Sequence, residues 1–81
     1  MKMGRNIYYE YPTGTAPVVL KRFNNGYGFE LASYGAPANG QTDVAHGARC
    51  IRVDGTGTND ALYVNTAASG VATTWTLLNI N

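Results

Sequence analysis

The chain has 81 residues, a formal net charge of +1 and 14% charged residues, against roughly 25% in an average globular domain. That length fits a single domain, and the charge balance excludes a charge-rich disordered tail and lacks the basic footprint of a dedicated nucleic-acid binder. Ten glycines and three prolines oppose helix interiors, while frequent Thr and six Tyr suit pleated surfaces, so coiled coils and helical bundles are excluded as well.

Taken in chain order, short β-prone runs alternate with Gly, Asn and Asp clusters. The first run, residues 6–11, carries Ile7, Tyr8, Tyr9 and Tyr11 and is stopped by Pro12-Thr13-Gly14-Thr15. Runs over 18–23 and 27–34 flank Asn24-Asn25-Gly26, residues that tolerate positive φ, so they are expected to form a hairpin. Residues 35–47 form a long break containing Pro37, Asn39-Gly40 and Asp43. A break of that length suits a functional or interface loop. Strands over 48–53, 61–66 and 73–80 then read as a three-strand meander, joined by the 54–60 loop and by Ala67-Ala68-Ser69-Gly70. The expected fold is all-β: a small antiparallel sandwich or barrel-like domain covering 1–81. Its parts are N-terminal strands and a hairpin in 1–34, the long loop in 35–47 and the meander in 48–81. The last strand is expected to tie the C-terminus into a sheet.

A chain this small buries only roughly 60–65% of its unfolded surface. Its one cysteine, Cys50, forms no internal disulfide, and one His with five carboxylates offers few metal ligands. Association with other chains is the expected source of added stability. The longest apolar run, Ala16-Pro17-Val18-Val19-Leu20, is far short of a membrane span, and no apolar targeting region follows the basic start. Synthesis in the cytosol with Cys50 reduced, and no membrane partner, is the expectation.

Candidate chemistry is sparse. His46 and Cys50 are the only classical base and nucleophile, but Gly47 and the β-prone Cys50-Ile51-Arg52-Val53 oppose the helix that would align them. Asp54, Thr56, Thr58 and Asp60 alternate as calcium ligands can, without the bidentate Glu of a strong site, so a Gly-rich hairpin loop is expected there. Gly55-Thr56-Gly57 precedes a strand rather than a helix N-terminus, which disqualifies it as a phosphate cradle. No catalytic, cofactor-binding or metal residue is therefore assigned.

Two stretches resemble known families. Val19-Leu20-Lys21-Arg22-Phe23-Asn24-Asn25-Gly26-Tyr27-Gly28-Phe29 is similar to the first nucleic-acid motif of cold-shock domains. That likeness implies an OB-like barrel with Phe23, Tyr27 and Phe29 stacking bases and Lys21 on phosphate. The spacer is shorter than the family's, and Arg22 stands where the family has Trp. A longer stretch starts at Gly47-Ala48-Arg49-Cys50-Ile51-Arg52-Val53-Asp54 and continues in Asn59-Asp60-Ala61-Leu62-Tyr63-Val64-Asn65-Thr66 and Ala72-Thr73-Thr74-Trp75-Thr76-Leu77-Leu78. It resembles a module of small β-rich capsid decoration and head-fibre-like proteins of tailed bacteriophages.

This second resemblance implies a structural virion protein on the capsid surface, made in the host cytoplasm. Its partner would be the major capsid protein, whose subunits it would bridge, and a homotrimer is the favoured assembly. Neither an enzymatic activity nor a specific nucleic-acid partner is implied. Ile7, Tyr8, Tyr9 and Tyr11 are the candidate capsid contacts, because Tyr is enriched at interfaces. Tyr63 and Trp75 are expected to meet as a cross-strand aromatic pair, and Asn65 to bond the adjacent loop. Two alternatives are a cold-shock-type binder of single-stranded nucleic acid and a tail adhesion module holding carbohydrate on Tyr and Trp.

Overall fold

The structure, a computed structural model, describes residues 8–57 and 61–78. Ile7, residues 58–60 of the 54–60 loop and residues 79–80 of the expected last strand lie outside the described residues. Five strands are found: β1 (Val18–Arg22), β2 (Gly28–Ser33), β3 (Val44–Arg52), β4 (Leu62–Asn65) and β5 (Trp75–Leu77). They form one sheet in the order β1-β2-β3-β4-β5, with no helix among the described residues. The chain is all-β, as its Thr, Tyr and Gly content implies.

The arrangement within that class differs from an all-antiparallel sandwich or barrel. β1 and β2, β3 and β4, and β4 and β5 pair antiparallel, but β2 and β3 run parallel. A parallel neighbour cannot be reached by a tight turn, so the chain must travel back along the sheet before re-entering it. Residues 34–43 make that return. The long Pro- and Gly-containing break in the sequence is this crossover, and its length follows from the parallel pairing.

β3 also starts earlier than the sequence suggests. His46 and Gly47 interrupt the alternation of apolar residues, yet both lie within the strand. The pairing steps from Gly28↔Val44 to Glu30↔Arg49, so six residues of β3 face three of β2. The surplus is absorbed as a bulge around Gly47, whose φ of +81° suits a residue without Cβ. At the other end of the expectation, residues 8–13 carry no strand, and β5 is short.

The first hairpin forms where expected. Gly26 N–H donates to Phe23 O and Phe23 N–H to Tyr27 O, both at 2.9 Å. Only Gly26 takes the positive φ, +96°, and Asn24 and Asn25 stay on the ordinary side. This is a three-residue loop closed by a glycine bulge, and Asn25 Oδ1 accepts the Tyr27 N–H at 3.1 Å.

Alternation then decides the core. Val19, Leu31, Cys50, Tyr63 and Leu77 stand opposite one another in a row across the sheet. Leu31, Cys50 and Tyr63 join Val44, Ala48 and Trp75 in the buried cluster, with Val19 packed against it. The crossover is tied to the segment before β5. Thr73 Oγ1 accepts the N–H groups of Gly40 at 3.1 Å and Gln41 at 3.2 Å, and Asn39 Oδ1 accepts the Trp75 N–H at 2.8 Å.

Candidate interaction surface

The N-terminal tyrosines stand outside the sheet. Tyr8, Tyr9 and Tyr11 are 84%, 51% and 62% exposed, and the next residue, Pro12, is buried. Pro12 therefore anchors the segment while the rings before it face water. A phenol ring left in water forgoes most of the 150–250 Å² of burial such a residue can contribute to an interface.

Tyr63 and Trp75 are both buried in the core cluster. The register sets Tyr63 opposite Leu77 and Trp75 opposite Asn65, so the two rings occupy diagonal rather than facing positions. Asn65 lies between them in chain order and is fully buried. Its Nδ2 donates to Ala45 O at 3.0 Å, and its Oδ1 accepts the N–H groups of Ala67 at 3.1 Å and Thr74 at 3.0 Å. The link to Ala45 has no local sequence signal, because the two residues meet only through the pairing of β4 with the bulged start of β3.

The residues weighed for catalysis go to separate partners. His46 is exposed and its Nδ1 lies 3.1 Å from Ala67 O. Cys50 is buried, and its thiol donates to Ser33 Oγ at 3.5 Å. Burial pushes the Cys50 thiol above its ordinary pKa, and the Ser33 hydrogen bond only partly opposes this. The thiolate needed for nucleophilic chemistry is thereby disfavoured.

Asp54, weighed as a calcium ligand, is a clamp. Its Oδ1 accepts the Gly35 N–H at 2.7 Å and the Arg52 Nε–H at 2.9 Å, joining the end of β3 to the start of the crossover. The Arg52 hydrogen bond and then the Gly35 amide hold the carboxyl below its ordinary range. The same contact, with a hydrogen bond to Tyr63, raises the pKa of Arg52. Among the described residues, no three His, Cys, Asp or Glu side chains gather as a metal cage.

The residues of the cold-shock-like stretch sit on the first hairpin. Phe23 and Phe29 are in contact with ring centroids 4.5 Å apart, and Lys21 is exposed on β1 opposite Glu30. Arg22 is engaged elsewhere: its Nη1 donates to Gly26 O at 2.7 Å and pairs with Asp43 Oδ2 at 2.9 Å. Desolvation works against the Asp43 carboxylate, but hydrogen bonds led by Arg22 and Gln41 outweigh it and hold the pKa low. No helix of the described residues is long and apolar enough to cross a membrane. No family description, curated protein or solved structure matches the chain.

Proposed function

We propose that the chain is a non-enzymatic structural protein of a tailed-phage virion, coating the capsid exterior and bridging major capsid protein subunits as a homo-oligomer. In this reading it is made in the host cytoplasm and acts on the capsid surface. The observation that carries the adhesive part is the row of exposed tyrosines, Tyr8, Tyr9 and Tyr11, held against the domain by buried Pro12. Rigid amphipathic rings are favoured interface anchors, and they lose little conformational entropy on docking. The resemblance of residues 47–78 supplies the virion context. Many copies on one shell would add their contacts, so each chain needs only modest affinity.

Mass spectrometry of purified virions from a phage carrying this gene tests the reading, with many copies per head as the expected result. A Tyr8→Ser/Tyr9→Ser/Tyr11→Ser variant should keep its circular dichroism and bind chain-free heads roughly tenfold more weakly. The Phe23–Phe29 pair on the first hairpin supports a second reading, a binder of single-stranded nucleic acid. Salt-sensitive micromolar binding to oligonucleotides, with the chain absent from heads, would decide for that one. Glycan binding with absence from heads would instead assign a carbohydrate-holding adhesion module.

A further inference from the structure

The pleat gives the sheet a second face, opposite the core. Val18, Ala32, Ile51 and Leu62 pair in succession across β1 to β4. Leu78 N–H donates to Leu62 O at 2.9 Å, which extends this apolar row past β5. Beside it runs a second row, Lys21, Glu30, Arg49, Val64 and Thr76. A sheet face turned to water is ordinarily polar. Here a whole row is apolar: Ala32 is buried between its neighbours, Val18 and Leu62 are half-buried, and Ile51 and Leu78 are 44% and 40% exposed. The charges in the adjoining row alternate in sign. The ion pairs of the described residues are Arg22–Asp43 and Arg52–Asp54, so Lys21, Glu30 and Arg49 belong to neither.

We propose that this face is the interface between two copies of the chain, related by a two-fold axis that runs along the strands between β2 and β3. The single sheet of each copy then becomes one layer of a two-chain sandwich, with layers about 10 Å apart. Charge complementarity identifies the second copy as the occupant. The axis sets Glu30 over the partner's Arg49, and Arg49 over the partner's Glu30. In the apolar row, exposed Ile51 packs over the partner's Ala32, which its own sheet already buries, and half-buried Val18 meets the partner's Leu62. Lys21 lays its methylene stem over the partner's Val64. An axis centred on β2 would stack Glu30 on Glu30, and one centred on β3 would stack Arg49 on Arg49. Like-charge contacts of that kind exclude those registers. The remaining contact is isologous and closes after two chains, as two-fold symmetry requires.

Sedimentation velocity and light scattering on the full chain test this, with a two-chain mass expected at about 100 µM. Ile51→Glu should weaken association at least roughly tenfold while leaving circular dichroism unchanged. The charge series does not depend on that variant folding. Glu30→Arg and Arg49→Glu should each weaken association roughly tenfold, and the double exchange should restore it. A single-chain mass at that concentration, a three-chain mass, or indifference to all these changes overturns the proposal. So does a monomer whose head binding is lost with Ile51→Glu, since the shell would then occupy this face. The interface does not rest on the capsid reading: mass is read without heads, and head binding is read through Tyr8, Tyr9 and Tyr11.

Discussion

At the scale of single residues, fully buried Asn65 ties three parts of the fold together. Three hydrogen bonds from one buried amide fix β3 at Ala45, the loop at Ala67 and the approach to β5 at Thr74. Asn65→Leu preserves much of the volume but leaves one acceptor and two donors without partners. Each buried orphan costs about 1–3 kcal/mol. Chemical denaturation should therefore show a loss of roughly 3 kcal/mol or more, and a loss under ~1 kcal/mol would mean that water reaches these groups. Asp54 makes a pH-dependent contribution. Its carboxyl is held below the ordinary value of 3.8 by Arg52 and Gly35, so the unfolded chain takes up this proton first as the pH falls. The stability it adds is complete above that value and is lost as the pH drops through the lower folded value. Asp43, lowered as well, adds to the same acid limb. Asp54→Asn should lower stability at neutral pH and flatten the acid limb in a pH series of thermal melts; an unchanged limb would remove Asp54 from the account. The bond from Asn65 to its own loop is legible in the sequence, because Asn two residues before a backbone N–H forms such turns readily. The Arg52–Asp54–Gly35 clamp is not, because Gly35 reaches Asp54 only once β2 and β3 lie side by side.

At the scale of elements, the parallel pairing of β2 and β3 separates what the sequence reveals from what it conceals. Strand positions follow from local chemistry: Val, Ile, Tyr and Thr fill the pleats, and Gly or Asn ends them. β1, β2 and β4 accordingly lie within the ranges expected for them. Strand direction depends on partners distant in sequence, and a hairpin-rich reading defaults to antiparallel neighbours. The crossover was visible as a long break, but its role is set by the pairing around it. The β3 bulge was hidden for a different reason. Of its extra residues, Ala45 to Gly47 read as loop because they break the alternation that identifies a strand. Gly47 is the residue this bulge depends on. A Cβ there meets nothing within 4 Å, so the cost of Gly47→Ala is backbone strain at φ +81° rather than a clash. That cost is about 1 kcal/mol. Gly47→Val should cost more, because branching restricts the backbone further. Urea midpoints of the two variants check this order, and equal midpoints would show that the bulge relaxes to another conformation.

At the scale of the whole molecule, the low charge and the small core have one consequence. The buried hydrophobic cluster consists of Leu31, Val44, Ala48, Cys50, Tyr63 and Trp75, and two of its members are as small as Ala and Cys. One sheet with a single packed face buries less apolar surface than a sandwich of the same strand count, since among the described residues no second layer of strands covers the other face. The exposed apolar surface on that second face, Ile51 foremost, remains a source of stability that a lone chain does not use. Association would draw on it, and any partner that binds only the folded chain stabilises the chain by mass action. The apparent melting temperature should therefore rise with protein concentration. For a domain of this size, each kcal/mol of linked association raises Tm by roughly 4–8 °C. A hundredfold increase in concentration should thus move the melt by several degrees, and Ile51→Glu should abolish the dependence without lowering Tm at the dilute end. Scanning calorimetry across that range reads both. A Tm independent of concentration in the native chain would mean that its single packed face is sufficient alone.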